Sequence, residues 1–506
     1  MADAVVTALA GSVGRPGAKY QTVEQAKDAA AALSAIGLCG LCILRFIHVP
    51  LGPAYQDEST VAVHEALGVR AADAAGAVCP ACLGSLCPGI AKQVVDEYKS
   101  QGYDASDVTI AVELPKSFYV RHRAMQLFCS ASSAVQASAA DMVGVKDAVK
   151  HIISQRLAAE CGVAATIDGD MRIEVTFAHP DSAEEHQFLV QRQPAAPSAR
   201  TKGKPAPAAG ADTKAAIVSA IAACSDANFR ARFPCPPLPV ASAATIGALV
   251  LKRASLFVGG RYLKLERHIS QTPFVVEGRR VTELSVAEII GEPLMALTRC
   301  DSYNLVGSGR EDADVRMLGD GRPFYIECIN PRTTRVSPAQ IKEIEDSLTR
   351  SGSPVQVRRL QLIAPEDTAI IKEGEEHKSK KYCALVWIAC PLTAEKLAAI
   401  NEAGKKGLVL QQKTPIRVLQ RRAPLTRPKK ILSLEVEPIE GRFYKVRIES
   451  EAGTYIKEFV HGDLGRTVPS LAGLAGATAD IIELDVESVS LEFPPAGAGA
   501  SAGAGA

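Results

Sequence analysis

The sequence predicts an α+β protein of two folded blocks, on three observations. Its 506 residues exceed what one domain holds, since single domains usually run to roughly 100–200 residues. The stretch from Gln191 to Lys214, QRQPAAPSARTKGKPAPAAGADTK, is mostly Pro, Ala, Gly and Lys; with no apolar periodicity it has nothing to bury, and it reads as a disordered linker. Beyond the linker, many short segments with strand character are separated by turn residues, with few helical stretches among them. That pattern predicts a large mixed, mainly antiparallel sheet with helices packed on it.

The first block, 20–190, is a small α/β unit behind a cysteine-rich head. Helical spacing marks Ile90–Gly102, Phe118–Ser133 and Asp147–Cys161, and DVTIAVEL and MRIEVTF read as strands. In the second block, 215–493, the strands are RYLKLERHI, RPFYIECIN, VQVRRLQLI, KKYCALVWIAC, KILSLEVEPI, RFYKVRIES and DIIELDVESVSLEF. Helices are expected over Ser285–Thr298 and Pro338–Arg350. The tail 494–506, PPAGAGASAGAGA, cannot build a core and is expected to be disordered. No repeat of fixed period runs through the chain.

Composition narrows the class. No apolar run reaches the roughly 20 residues of a membrane span, and the N-terminus carries Asp3 and no basic start, unlike a secretory signal. Nucleus or cytoplasm is the expected location. The net charge of +1 neither demands nor excludes nucleic acid, because a phosphate footprint depends on clustering.

In a reducing compartment thirteen cysteines are not a disulfide framework. Cys39 and Cys42 form one CxxC, and Cys79 and Cys82 a second. Each such knuckle presents two sulfurs from one tight turn, so the pair predicts a closed, structural Zn²⁺ site; Cys87 is the alternative member. Cys129, Cys161, Cys224, Cys235, Cys300, Cys328, Cys383 and Cys390 are scattered among apolar residues and are expected to pack as small hydrophobes.

The stretch SGREDADVRMLGDGRPF, Ser308 to Phe324, concentrates charge between glycines. A surface turn would explain it, but later segments supply matching parts. In ESEAGTYIKEFVHGDLGRT, Tyr455 and Lys457 are two apart, which in extended backbone places both on one side. Tyr382 opens the strand KKYCALVW. An enclosed Asp312 would need a cation, and Arg310 or Lys457 could supply it. The run KTPIRVLQRRAPLTRPKK holds Lys413, Arg417, Arg421, Arg422, Arg427, Lys429 and Lys430 without an acid; such a run is usually a solvated loop, but here it is expected to clamp a phosphate backbone, since a nearly neutral protein must concentrate such contacts somewhere. Lys372, Lys378, Lys380 and Lys381, diluted by Glu373, Glu375 and Glu376, read as an exposed loop. Arg121, His122 and Arg123 offer a second RNA contact or a plain polar helix face.

GREDxDVRMLGxGRPF, RYLKLERHISQTPF, KxYxALVW and GTYIKEFVHGDLGRTxPSL together resemble the pseudouridine synthase ten family, archaeal and eukaryotic enzymes of the tRNA TΨC arm. The resemblance spans nearly the whole chain outside linker and tail and is loose between Ile90 and Val190. It implies a pseudouridine synthase fold behind a zinc-bearing, THUMP-type RNA-binding domain, with tRNA as partner and uridine 54, 55 or both as target. It also implies Asp312 as essential carboxylate, Tyr382 as stacking platform for the base, Lys457 as basic partner of Asp312, and Tyr455 beside it. Arg310 would orient the loop or meet phosphate. Phe274 departs from the pattern, where a larger aromatic is expected.

The chemistry is compatible with these residues. Uridine isomerisation breaks the N1–C1′ bond and rejoins the base through C5 with no redox change, so a carboxylate acting as nucleophile at the sugar or as base at C2′ needs no organic cofactor. A monomer is expected. Two rivals stand beside this reading: a metal-dependent nuclease built on Glu311, Asp312 and Asp314, and a non-catalytic RNA-binding protein on the same scaffold.

Overall fold

The computed structural model describes residues 2–14, 18–56, 59–69, 78–87, 89–135, 142–190, 213–350, 352–420 and 422–495. Most of the expected linker, most of the tail, and Arg421 lie outside the described residues. The chain divides into two compact units, Met1–Arg253 and Ala254–Ala506.

The first unit carries a four-stranded sheet in the order Ala164–Ala165, Asp107–Glu113, Met171–Ala178, Thr245–Arg253. Asp107–Glu113 runs parallel to both of its neighbours, and Thr245–Arg253 is antiparallel to Met171–Ala178. Met171–Ala178 alternates as a half-buried strand should, with Met171, Ile173, Val175 and Phe177 buried. Helices Ile90–Gln101 and Val145–Cys161 bring Val94, Val95, Ile152 and Ile153 into the same core.

Two boundaries differ from the sequence expectation. The unit does not start at 20, because helix Ala2–Ala10 buries Val5 and Leu9 in its core; an alanine-rich helix has too weak an apolar contrast to announce itself. Nor does the unit end at 190. Thr213 caps helix Lys214–Ala223 by accepting from Ala216 N, and Thr245–Arg253 completes the sheet, so 213–253 belong with the first unit rather than the second. Arg253 locks that return with ion pairs to Asp104 and Asp170.

The second unit is a ten-stranded sheet. Its path runs Val355–Ile363, Leu256–Lys264, Arg316–Ile329, Ala479–Val489, Lys380–Ile388, Phe443–Ser450, Thr426–Glu440, Leu408–Lys413, Thr467–Val468, and Ser302–Gly307 pairs off the path with Arg316–Ile329. Every pairing is antiparallel except the short one between Ala479–Val489 and Arg316–Ile329, as expected for a mixed, mainly antiparallel sheet. Besides the expected helices Val286–Thr298 and Pro338–Arg350, the unit has Thr368–His377 and Ala394–Lys406. The lysine-rich stretch near 372–381 is therefore not a loop: Lys372 lies on a helix, and Lys380 is buried in a strand. Pro494 and Pro495 are not loose either, since their carbonyl oxygens accept from Arg359 and Gln361.

One detail of topology places the site. On one edge, Arg316–Ile329 pairs with Ala479–Val489 at Arg316 and Met317, and with Ser302–Gly307 from Phe324 to Ile329. The loop 308–315 emerges where the sheet forks between these two neighbours. A fork leaves backbone groups without ladder partners, and side chains from neighbouring elements, Lys264, Arg267, Gln271 and Arg322, donate to the loop's carbonyls.

Candidate active site

The loop is anchored on both sides of Asp312. Gly309 turns the chain at φ +83°, a conformation that an L side chain adopts only with strain; a Cβ there would also press on Lys380 Nζ. Gln271 Nε2 donates to the Gly309 carbonyl at 3.0 Å, and Arg322 Nη1 to that of Ser308 at 2.7 Å. Glu311 is almost wholly buried, accepting from Arg322 Nε at 2.7 Å and from the Tyr262 hydroxyl at 2.9 Å. Beyond Asp312, the fully buried Lys264 donates to the carbonyls of Ile269, Asp312 and Ala313 at 2.7, 3.0 and 3.2 Å. Burial pulls the Lys264 ammonium below its ordinary value, partly offset by the nearby acids. Arg267 then ties the Asp314 carbonyl to Ala479–Val489. With its neighbours fixed, Asp312 projects a side chain that is 44% exposed.

Two cations meet that carboxylate. Lys457 Nζ and Arg417 Nη1 each lie 3.3 Å from the same oxygen, Oδ2, and no hydrogen bond reaches Oδ1 among the described residues. Lys457 is shared with Asp314, 2.8 Å away. Burial alone would raise the Asp314 carboxyl, but the Lys457 ammonium outweighs it and holds it below the ordinary range. Arg417 also donates through Nε to the buried Glu458 at 2.7 Å, with its guanidinium 5.9 Å from the centre of the Tyr455 ring. Burial would lower Arg417, and Glu458 and then Asp312 reverse that and raise it.

The elements behind these side chains correct one expectation. Tyr455 and Lys457 do not share one extended segment: Tyr455, itself extended, is the N-cap residue of helix Ile456–His461, and Lys457 sits in its first turn. The start of the helix is fixed by Gln412, which accepts from Tyr455 N at 2.9 Å and donates to Tyr455 O at 3.0 Å. Arg417 comes from a short 3-10 turn, Ile416–Val418, in the hairpin between Leu408–Lys413 and Thr426–Glu440.

Of the residues singled out in the sequence, Asp312, Lys457 and Tyr455 come together. Arg310 is exposed and pairs with no carboxylate among the described residues. Tyr382 is not in hydrogen-bonding contact with Asp312; its ring packs against the core of the second unit, and burial raises its hydroxyl. In the basic run, Lys413, Arg422, Arg427 and Lys430 are exposed, whereas Lys429 is spent on the Ala452 carbonyl at 2.7 Å. Arg121, His122 and Arg123 do not form a free basic face: Arg121 is buried on Glu185 and two carbonyls, His122 is half-buried against Phe46, and Arg123 pairs with Asp226. The partnership of Arg417 and Glu458 was not read from sequence, although both residues lie within the quoted motifs.

The nuclease alternative loses its basis. Glu311 is committed to Arg322 and Asp314 to Lys457, so the three acids do not converge on a cation. Among the described residues one cluster has metal-ligand geometry: the sulfurs of Cys39, Cys42, Cys79 and Cys82, all within 4.8 Å of one another. Four soft donors so close fit a tetrahedral metal, and Arg45, donating to Cys42 Sγ at 3.2 Å, offsets the charge of such a thiolate set. Cys87 stands outside the quartet. Of the scattered cysteines, Cys129, Cys300 and Cys328 are buried as expected, but Cys390 is exposed.

One unit thus presents a loop-borne carboxylate between two cations, and the other a four-cysteine cluster. The family model "Pus10, C-terminal" matches residues 257–490, and "Eukaryotic Pus10, N-terminal" matches 77–248. The chain is 36% identical over 427 residues to "tRNA pseudouridine synthase Pus10" of Mus musculus, covering 83% of this chain and 80% of the relative. It is 37% identical over 429 residues to the Homo sapiens protein of the same name, covering 83% and 79%. Among solved structures, that of a Cbf5-Nop10-Gar1 complex matches at 17% identity and a TM-score of 0.26, over 46% of this chain and 48% of that one. The chain belongs to the Pus10 family.

Proposed function

We propose that this protein is a tRNA pseudouridine synthase that isomerises uridine in the TΨC arm, at position 55, 54 or both, with Asp312 as the reactive carboxylate. The observation that carries this reading is the presentation of Asp312: a rigid loop, two cations on Oδ2, and an Oδ1 with no hydrogen bond among the described residues. A carboxylate flanked by two cations and partly exposed can attack C1′ or take the C2′ proton, and either route needs only the substrate. The relatives' printed name, at over a third identity across four-fifths of their length, supports the substrate class.

The remaining residues take roles consistent with their places. Lys457 and Tyr455 form the wall beside Asp312. The Tyr382 ring, packed against the core of the second unit, is held as a stacking platform for an everted base; such stacking is worth roughly 1–3 kcal/mol. Arg310 and the exposed Lys413, Arg422, Arg427 and Lys430 are offered to phosphates, and the flanking Arg421 is assigned with them. The four-cysteine site holds a structural Zn²⁺, with ligands that must stay reduced, consistent with nucleus or cytosol.

The test is incubation of the purified protein with unmodified tRNA, Mg²⁺ being replaced by spermidine to keep the RNA folded, followed by chemical mapping of pseudouridine. The expected result is conversion within the TΨC arm of intact strands. Cleaved strands, or no conversion, would overturn the reading.

A further inference from the structure

We propose that Arg417 is a positioning residue for Asp312, held by the buried Glu458, rather than one more clamp on the RNA backbone. The inference rests on Asp312 being the reactive carboxylate, as argued above, and its premises are geometric. Arg417 uses two different nitrogens of one planar group: Nε on Glu458 Oε1 at 2.7 Å, and Nη1 toward Asp312 Oδ2 at 3.3 Å. The Glu458 side chain is 2% exposed, and its second oxygen has no hydrogen bond among the described residues.

A buried carboxylate without a counter-ion costs several kcal/mol. Arg417 is the cation that Glu458 has among the described residues, so moving it to a phosphate would strand that charge. Arg417 therefore stays where it is when RNA arrives, unlike Arg422 or Arg427, which have no such tie among the described residues. The fixed guanidinium braces Asp312 from the hairpin side while Lys457 braces it from the helix side. Since both act on Oδ2, rotation of the carboxylate is restrained and Oδ1 is the oxygen turned toward the ribose. Glu458 thus shapes the reaction without touching substrate, through Arg417.

The two possible roles differ in what lysine can replace. A phosphate clamp needs only a positive charge, which lysine supplies; a brace between two carboxylates needs the fork of the guanidinium, which lysine lacks. The experiment is single-turnover conversion of unmodified tRNA by the full chain, with tRNA affinity measured in parallel, for Arg417→Lys, Arg417→Gln, Glu458→Gln and the double variant Arg417→Lys/Glu458→Gln. The expected result is a fall of about 10- to 100-fold in the chemical rate for Arg417→Lys, as misplacing a reacting group by an ångström costs, with affinity within about two-fold. Arg417→Lys is exposed enough to fold normally. The double variant should be no slower than the worse single one, because the two residues act as one unit.

Wild-type rate in Arg417→Lys, with weaker binding in Arg417→Gln alone, would assign Arg417 to the RNA backbone and overturn the inference while leaving the function intact. Multiplying losses in the double variant would overturn it too. An inactive wild-type chain would remove both the inference and the function it rests on.

Discussion

Glu311 and Asp312 are neighbours with opposite fates, and the difference is which partners each one meets. Glu311 is enclosed with Arg322, both side chains 1% exposed, and accepts from Tyr262 as well. Asp312 stands in partial solvent with cations on one oxygen. The pair of roles yields a direct prediction. Arg322→Met leaves a buried carboxylate uncompensated and should cost about 3–5 kcal/mol in denaturant unfolding of the second unit; a loss under about 1 kcal/mol would show that the pair does not hold the loop. In the sequence Glu311 stood out only as a member of the rival nuclease cluster, and nothing local says that it is buried, because an Asp- and Gly-rich stretch looks solvated until the distant Tyr262 and Arg322 are known to close over it. Asp312 was legible, since its surroundings form a specific motif. The cations were half legible: Lys457 belongs to such a motif, whereas Arg417 hides in a basic run whose composition suggests phosphate.

At the level of elements, strands with clear alternation or continuous apolar character were readable, and so were the two knuckles, since a CxxC turn is a local device. The alanine-rich N-terminal helices, and the strand that returns after the linker to complete the first sheet, were not readable, because their burial depends on distant partners. Two predictions belong to this scale. The quartet should bind about one Zn²⁺ per chain, and Cys82→Ser should lose the metal and lower the melting temperature of the first unit; unchanged metal content measured by atomic absorption would refute the site. Asp485 joins Arg316 and Arg267 at the base of the loop. Burial would raise its carboxyl, but those two arginines hold it below the ordinary range. A carboxyl depressed in the folded state stabilises above its unfolded pKa and loses that contribution as pH falls through its folded one. Wild type should therefore exceed Asp485→Asn in stability at neutral pH, and the gap should close on acidification; a gap independent of pH would contradict the assignment.

For the molecule as a whole, near-neutral total charge means that RNA affinity depends on a few exposed cations. With Arg417 and Lys429 committed to internal partners, Lys413, Arg422, Arg427 and Lys430 are the described members of the run left for phosphates. Each phosphate contact adds about 0.9 to the slope of log affinity against log salt, so Arg422→Gln should flatten the slope by about one, and Arg417→Gln should leave it unchanged. Binding isotherms over a series of salt concentrations would show this.

The central claim is that one carboxylate carries the chemistry and little of the binding. The most direct measurement compares wild type and Asp312→Ala on the same unmodified tRNA, with pseudouridine mapped by chemical labelling and affinity measured on the same samples. The account predicts no detectable conversion by the variant and binding within about two-fold of wild type. Conversion by Asp312→Ala at the wild-type rate would contradict it.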